Sequence, residues 1–252
     1  MASQAGKVRI YARVSGDLAA RIARGEFAIG ARLPAERDLA QAYGVSRPTI
    51  REAVIALEVD GLVEVRQGSG VYVTARQPDA GHARETDIGP FELLEARRAI
   101  EAEVCALAAL HITDGEIAAL TELLDEMEND NLHDDISRAE KADHRFHLLI
   151  ADASRNSAMA AVVELLWKAR SRSPQSRLLK RKAHKAGVKP TVEEHRAIVA
   201  ALAAHDPEAA RAAMRAHLGR VLEALLRITE VEELEQARER AAAQRRRYAP
   251  AG

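Results

Sequence analysis

The chain has 252 residues, 47% of them apolar and 30% charged, a size and balance that suit two globular domains and exclude collagen-like, fibrous and disordered classes. Its 37 Lys and Arg against 38 Asp and Glu leave a formal charge of −1 that hides an asymmetry: residues 1–76 carry 11 basic and 8 acidic side chains, and the remainder 26 and 30. The lone Cys105 excludes an intrachain disulfide and suits a reducing, cytoplasmic setting. No run of about 18 apolar residues offers a membrane span, and the N-terminus lacks the apolar stretch of a secretory leader. Aromatics are only 3% while Ala, Leu, Glu and Arg abound, so a mainly α protein is expected.

In chain order, Ile10, Val14, Leu18 and Ile22 form an apolar stripe on a helix over 8–24. Gly25 and Gly30 flank a loop ending at Leu33-Pro34. A short helix over 35–43 has Glu36 and Asp38 in its first turn, where the helix dipole favours acids, and Gly44 stops it. Ser46 is a natural N-cap for a third helix, with Pro48 in its first turn and Ile50, Val54 and Leu57 turned inward. After Gly61, the β-branched runs 62–66 and 71–74 are joined by Gln67-Gly-Ser-Gly70, a hairpin signal. Helix, glycine turn, helix and hairpin make a winged helix-turn-helix domain over 1–76.

Residues 77–89 lack apolar periodicity and read as a linker. From Pro90 the pattern is helical: 91–110, a helix opened by the capping box Thr113-Asp-Gly-Glu116 to about Asn131, then 137–153 and 156–172. The basic stretch 177–185 reads as a loop, Thr191-Val-Glu-Glu194 as a second capping box, and Asp206-Pro207 as the start of a last helix running toward Leu234. Six or seven helices make an all-α antiparallel bundle over 90–235, followed by a charged tail, 236–252.

Two groups of residues carry chemistry. Arg47, Thr49 and Arg51 lie at the start of the third helix, the end that enters the major groove in helix-turn-helix proteins. Arginine can grip guanine O6 and N7 with two hydrogen bonds or clamp phosphate, and threonine can meet a phosphate or a thymine methyl. Arg37 would lie across the DNA backbone, and the Gly68–Gly70 tip would let the wing's main chain approach the duplex. Asp143 and His147 share one helical face about 6 Å apart along the axis, His195 lies just inside the Thr191 helix, and His217 follows on the last helix with 21 residues between them. Three imidazoles and a carboxylate suit a divalent ion such as Zn²⁺, Ni²⁺ or Mn²⁺. Histidines hydrogen-bonded within an apolar core are the other reading of that spacing. His144 is expected to be exposed or beside this set, and His82, His111, His133, His184 and His205 on the surface.

The segment Leu33-Pro-Ala-Glu-Arg-Asp-Leu-Ala, with Tyr43-Gly-Val-Ser-Arg-Pro-Thr-Ile-Arg-Glu-Ala and Gln67-Gly-Ser-Gly-Val-Tyr-Val73, resembles the DNA-binding domain of the GntR family of bacterial transcription regulators. The resemblance implies DNA contacts from Arg37, Ser46, Arg47, Thr49, Arg51, Gln67 and Gly68. Gln67 departs from relatives with His at this position and carries no titratable charge. Asp143-x₃-His147 with His195 and His217, together with Glu95-Ala-Arg-Arg-Ala-Ile-Glu101, is similar to the FCD ligand-binding domain of the FadR subfamily. That implies a metal in the bundle core, with a small carboxylate effector completing its coordination. It also implies Arg97 as an effector-binding cation, the alternative being a surface ion pair with Glu101. The stretch Leu166-Trp-Lys-Ala-Arg-Ser-Arg-Ser-Pro174 is similar to regulators of hexuronate catabolism, although Trp167 also suits simple packing.

The expected protein is a homodimeric, metabolite-responsive repressor that binds a palindromic operator. Two other readings remain: a helical metalloenzyme with Glu140 or Glu194 as base, for which no HExxH pattern is present, and an architectural DNA-binding protein with a purely structural bundle.

Overall fold

The computed structural model describes residues 9–66, 69–78, 88–133 and 135–229. These fall into two compact units, one within residues 9–78 and one over 88–228. Gln67, Gly68, most of the linker (79–87), His82, the continuation of the last helix to Leu234 and the tail 236–252 lie outside the described residues.

In the first unit, α1 (Ile10–Ala23) buries Tyr11, Val14, Ser15, Leu18 and Ile22. Ile10, expected on this stripe, is instead 59% exposed. Steps of four overshoot the helical repeat, so by Ile22 the stripe has turned about 120° from Ile10, and Tyr11 takes the inner place. Helix α2 (Glu36–Tyr43) ends at Gly44, whose φ of 64° suits a residue without Cβ. Helix α3 (Arg47–Val59) is capped by Ser46, whose Oγ accepts from the Thr49 amide at 3.3 Å. Strands β1 (Val63–Arg66) and β2 (Gly70–Val73) pair antiparallel, Val63 opposite Val73 and Arg66 opposite Gly70. The chain before α2 runs along β2's free edge: the Leu33 amide donates to Val71 O at 2.8 Å and the Val73 amide to Ala31 O at 2.9 Å. Leu18, Ile22, Ile50, Ala53 and Leu57 form a core with no exposure, closed by Val63, Val71 and Val73 of the hairpin. This core sets the recognition helix against its supports.

The second unit contains α4 (Pro90–His111), α5 (Asp114–Leu132), α6 (Ile136–Ala153), α7 (Ser157–Arg172), α8 (Pro174–Lys185), α9 (Val192–Ala203) and α10 (Pro207–Thr229). The Thr113 capping box forms both of its hydrogen bonds, and Asp206 accepts from the Glu208 and Ala209 amides at the start of α10. Two expectations fail. The basic stretch 177–185 is helical, within α8, capped by Ser173 and opened by Pro174, with Leu179 and Ala183 buried one turn apart; its charges mask that pattern. Thr191 precedes α9 without a side-chain cap, and the reciprocal half of the capping box is also missing, since the Glu194 carboxylate is drawn away to His217 and Arg220. The bundle core joins Ala102 and Cys105 of α4, Leu120 and Met127 of α5, Phe146 and Ile150 of α6, Ile198 and Leu202 of α9, and Leu218 of α10. Cys105 is fully buried, and burial pushes its thiol up to about 12. Among the described residues no helix is long and apolar enough to cross a membrane.

Candidate functional site

The expected DNA-contacting side chains divide by exposure. Arg37 and Arg47 are open to solvent, with side chains 72% and 48% exposed. Arg51 is buried at 7%, and its Nε donates to both oxygens of Glu36, at 3.1 and 2.9 Å. Glu36 also lies 3.8 Å from Arg47, so one carboxylate on α2 organises two arginines of α3. Ser46 and Thr49 share a 2.8 Å hydroxyl contact at the helix start. Arg32, absent from the sequence-based set, is exposed and lines a cleft with Glu36, Arg47 and Gly70, between α3 and the wing. Gly70 is required there: its φ is +134°, and a Cβ would come within 2.4 Å of Arg32 Nε. No helical or strand periodicity marks Arg32, which is why sequence reading passed it by.

In the second unit Asp143, His147, His195 and His217 come together, one ligand atom from each lying within 4.8 Å of the others. Helix α6 brings the first two, α9 the third and α10 the fourth. The three imidazoles are buried at 2%, 0% and 4%, and Phe146 packs its ring edge-on to His195 at 5.0 Å. Each Nδ1 faces an oxygen away from the centre. His195 Nδ1 donates to Thr191 O at 2.9 Å, His217 Nδ1 to Glu194 at 2.8 Å, and His147 Nδ1 lies 2.6 Å from Glu101. This arrangement fixes the tautomer and leaves the Nε2 lone pairs convergent, as in metal-binding histidines oriented by outer acceptors.

The donor set fits a cation on its own geometry. A backbone carbonyl only accepts, so His195 Nδ1 must carry the proton. A neutral ring then turns its Nε2 lone pair toward Asp143 Oδ1 at 2.9 Å. Two lone pairs facing each other require a proton or a metal ion between them. His147 Nε2 is buried without a hydrogen-bond partner, 3.6 Å from the same carboxylate.

Charge is distributed to match. Burial opposes ionisation of Asp143, but His147 and His195 hold its carboxyl well below the usual range. Burial likewise opposes Glu101, yet Arg97 and His147 bring it down to about 2. Burial and the neighbouring imidazoles push His217 down to about 4 against the pull of Glu194. The ring is therefore neutral and able to ligate at ordinary pH.

A cavity of about 330 Å³ opens onto Asp143 and His217, with Arg97, Arg170, Leu94 and Leu179 among its walls. Arg97 is not in a surface ion pair. It is 3% exposed, its Nε donates to Glu101 at 2.6 Å, and its guanidinium lies 3.9 Å over the Trp167 ring. His144 is half-buried and stacks on Trp167, the ring centroids 4.5 Å apart. His184, expected on the surface, is half-buried against Glu140 at 3.0 Å. Glu140 also pairs with Lys180, and Glu194 with His217 and Arg220, so both candidate bases are already engaged. Glu101 and Glu194, read from the sequence as an ion-pair partner of Arg97 and a candidate base, instead meet His147 and His217 on other helices, and Arg170 on the cavity wall is the site residue that sequence spacing missed.

The chain matches the family described as bacterial regulatory proteins, gntR family, over residues 10–73, and the FCD domain over residues 92–220. It is 38% identical over 215 residues to the Exu regulon transcriptional regulator of Escherichia coli (strain K12), covering 83% of this chain and 82% of that protein. It is 37% identical over 236 residues to the Uxu operon regulator of Haemophilus influenzae, covering 89% and 85%. Among solved structures, E. coli McbR/YncC aligns at 25% identity with a TM-score of 0.50, over 88% of this chain and 100% of that one. The Exu and Uxu relatives are named as regulators, which sets aside the metalloenzyme reading. With a winged reading head followed by an FCD bundle, the chain belongs to the GntR family of DNA-binding transcription regulators.

Proposed function

We propose that this regulator is a cytoplasmic, homodimeric repressor that releases its operator when a small sugar acid of the hexuronate class binds beside a divalent ion in the FCD unit. Asp143, His147, His195 and His217 would hold the ion; zinc suits three imidazoles and a carboxylate best, with nickel or manganese as alternatives. When bound, the ion supplies a Lewis-acidic anchor for effector oxygen atoms. Glu101, Thr191 and Glu194 aim the three imidazoles, and the apolar walls exclude water. Arg37, Ser46, Arg47, Thr49, Arg51, Gln67 and Gly68 are the proposed DNA contacts, within a reading head of residues 1–76 joined by a linker (77–89) to a sensing domain of residues 90–235.

The observation that carries this reading is the convergence of four metal-type donors, two of which, Asp143 and His217, line a cavity with a cationic wall, in a chain whose other unit is a GntR head. The names of the Exu and Uxu relatives support the effector class. Coupling requires the effector to bind the DNA-released form more tightly than the operator-bound form. The test is operator binding by fluorescence anisotropy, with zinc-loaded and chelator-treated protein titrated with glucuronate and galacturonate. Weaker DNA binding is expected only with both metal and acid present, and the acid should be recovered unchanged. Operator affinity that ignores both acids rejects the reading. His195→Ala and His217→Ala should lose stoichiometric metal and the response while keeping basal DNA binding.

A further inference from the structure

The cations around the cavity are not equivalent. Arg97 is held by Glu101, Lys180 by Glu140 and Arg220 by Glu194. Lys189 donates to Asn131 O at 2.7 Å, and Arg227 lies 4.0 Å from Glu223. Arg170, in the last turn of α7, lines the same cavity, and among the described residues it makes no hydrogen bond and no ion pair. Its guanidinium lies over the face of Trp167, 5.0 Å from the ring centroid. That contact steadies the side chain and leaves its donors unused. A half-buried guanidinium with no carboxylate in hydrogen-bond reach is costly; burial and Arg97 lower the Arg170 pKa against the pull of Asp143, Glu140 and Glu101.

Resting on the function proposed above, we infer that Arg170 is the specificity-determining cation of the effector pocket and pairs with the carboxylate of the sugar acid. Its planar fork offers a carboxylate two parallel hydrogen bonds that the committed Arg97 cannot. Arg97, Lys180, Arg220 and Arg227 face carboxylates and Lys189 a backbone carbonyl, so Arg170 is the wall cation whose donors remain free to meet a carboxylate. Arg97 acts instead as a positioning residue: it holds Glu101 against His147 and backs Trp167.

The experiment is calorimetry on full-length, zinc-loaded protein with glucuronate, galacturonate and the neutral analogue glucuronamide, alongside metal content and melting temperature. Wild type should bind an acid more tightly than the amide. Arg170→Met should weaken acid binding about 10- to 100-fold, leave the amide within about twofold, and keep metal stoichiometry; Arg170→Lys should recover part of the loss. Undiminished acid binding in Arg170→Met overturns the inference alone, as does an equal loss of acid and amide, which would mark a packing role against Trp167. If Arg170→Met fails to fold, Arg170→Lys decides: acid affinity equal to wild type overturns the assignment, and selective loss of the acid supports it. Wild-type protein that binds neither acid overturns the proposed function and this inference with it.

Discussion

The two units place their polar chemistry on opposite sides of their cores. In the reading head, Arg37 and Arg47 stand in solvent above an apolar cluster. In the bundle, Asp143 and three imidazoles penetrate the packed interior, with Phe146 wedged against two of the rings. A surface site can be altered without disturbing the fold beneath it, whereas a site inside the core shares its atoms with the packing. Arg51 and Glu36 make a nearly buried pair in the head that ties α2 to α3, and Ser15 and Glu52 are buried there too.

The largest expected effect breaks the bundle. Phe146→Ala removes a side chain with no exposure and should destabilise the unit by about 3–5 kcal/mol, lowering the melting temperature and metal retention together. Intact metal binding in that variant would show that the site does not depend on the core. Next, Arg47→Ala should cost about 1–3 kcal/mol of operator discrimination, measured as the ratio of specific to random DNA affinity, with melting temperature and metal content unchanged. A fall in stability would erase the contrast between the two units. Glu194→Gln sharpens it from the other side. Removing the charge that orients His217 should weaken metal binding about 10- to 100-fold, with little loss of fold, since its other partner, Arg220, is half exposed.

The smallest effect is distant from both sites. Thr113→Ala should cost about 1 kcal/mol by uncapping α5. Burial opposes the Glu116 charge there, but Arg155 and Thr113 lower its pKa. Its stabilising contribution is thus present above the ordinary glutamate range and lost as pH falls through the lowered folded value. Thermal melts from pH 6 to pH 3 should show the gap between Thr113→Ala and wild type narrowing without closing, since Thr113 Oγ1 still accepts from the Glu116 amide; a gap unchanged at pH 3 would show that the cap acts without the Glu116 carboxylate.

Legibility followed the range of the interaction. Ser46, Thr113 and Asp206 were readable as caps because capping spans only three residues. Thr191-Val-Glu-Glu194 shares the Thr-x-x-Glu pattern of Thr113-Asp-Gly-Glu116, yet no capping box forms, and the Glu194 carboxylate that would close it meets His217 and Arg220 across the bundle. The metal-type set could be assembled from its residue types and the i, i+4 step of Asp143 and His147. The groups that orient it could not, since Glu101 and Thr191 act on histidines of other helices or through a backbone carbonyl. Helix α8 was obscured by its own lysines and arginines, whose charge hid the spacing of Leu179 and Ala183. Exposure of Arg47 against burial of Arg51 depends on where Glu36 lands, which is a property of the turn at Gly44 and not of the recognition helix alone.

The solitary cysteine has a practical use. Cys105 sits in the centre of the bundle with its thiol held protonated, so alkylating dyes should leave the native chain untouched. A second cysteine installed at an exposed position such as Arg37 would then take a fluorophore alone and report on the reading head. Delayed labelling of Cys105 itself would time the opening of the sensing unit, giving one molecule two independent clocks.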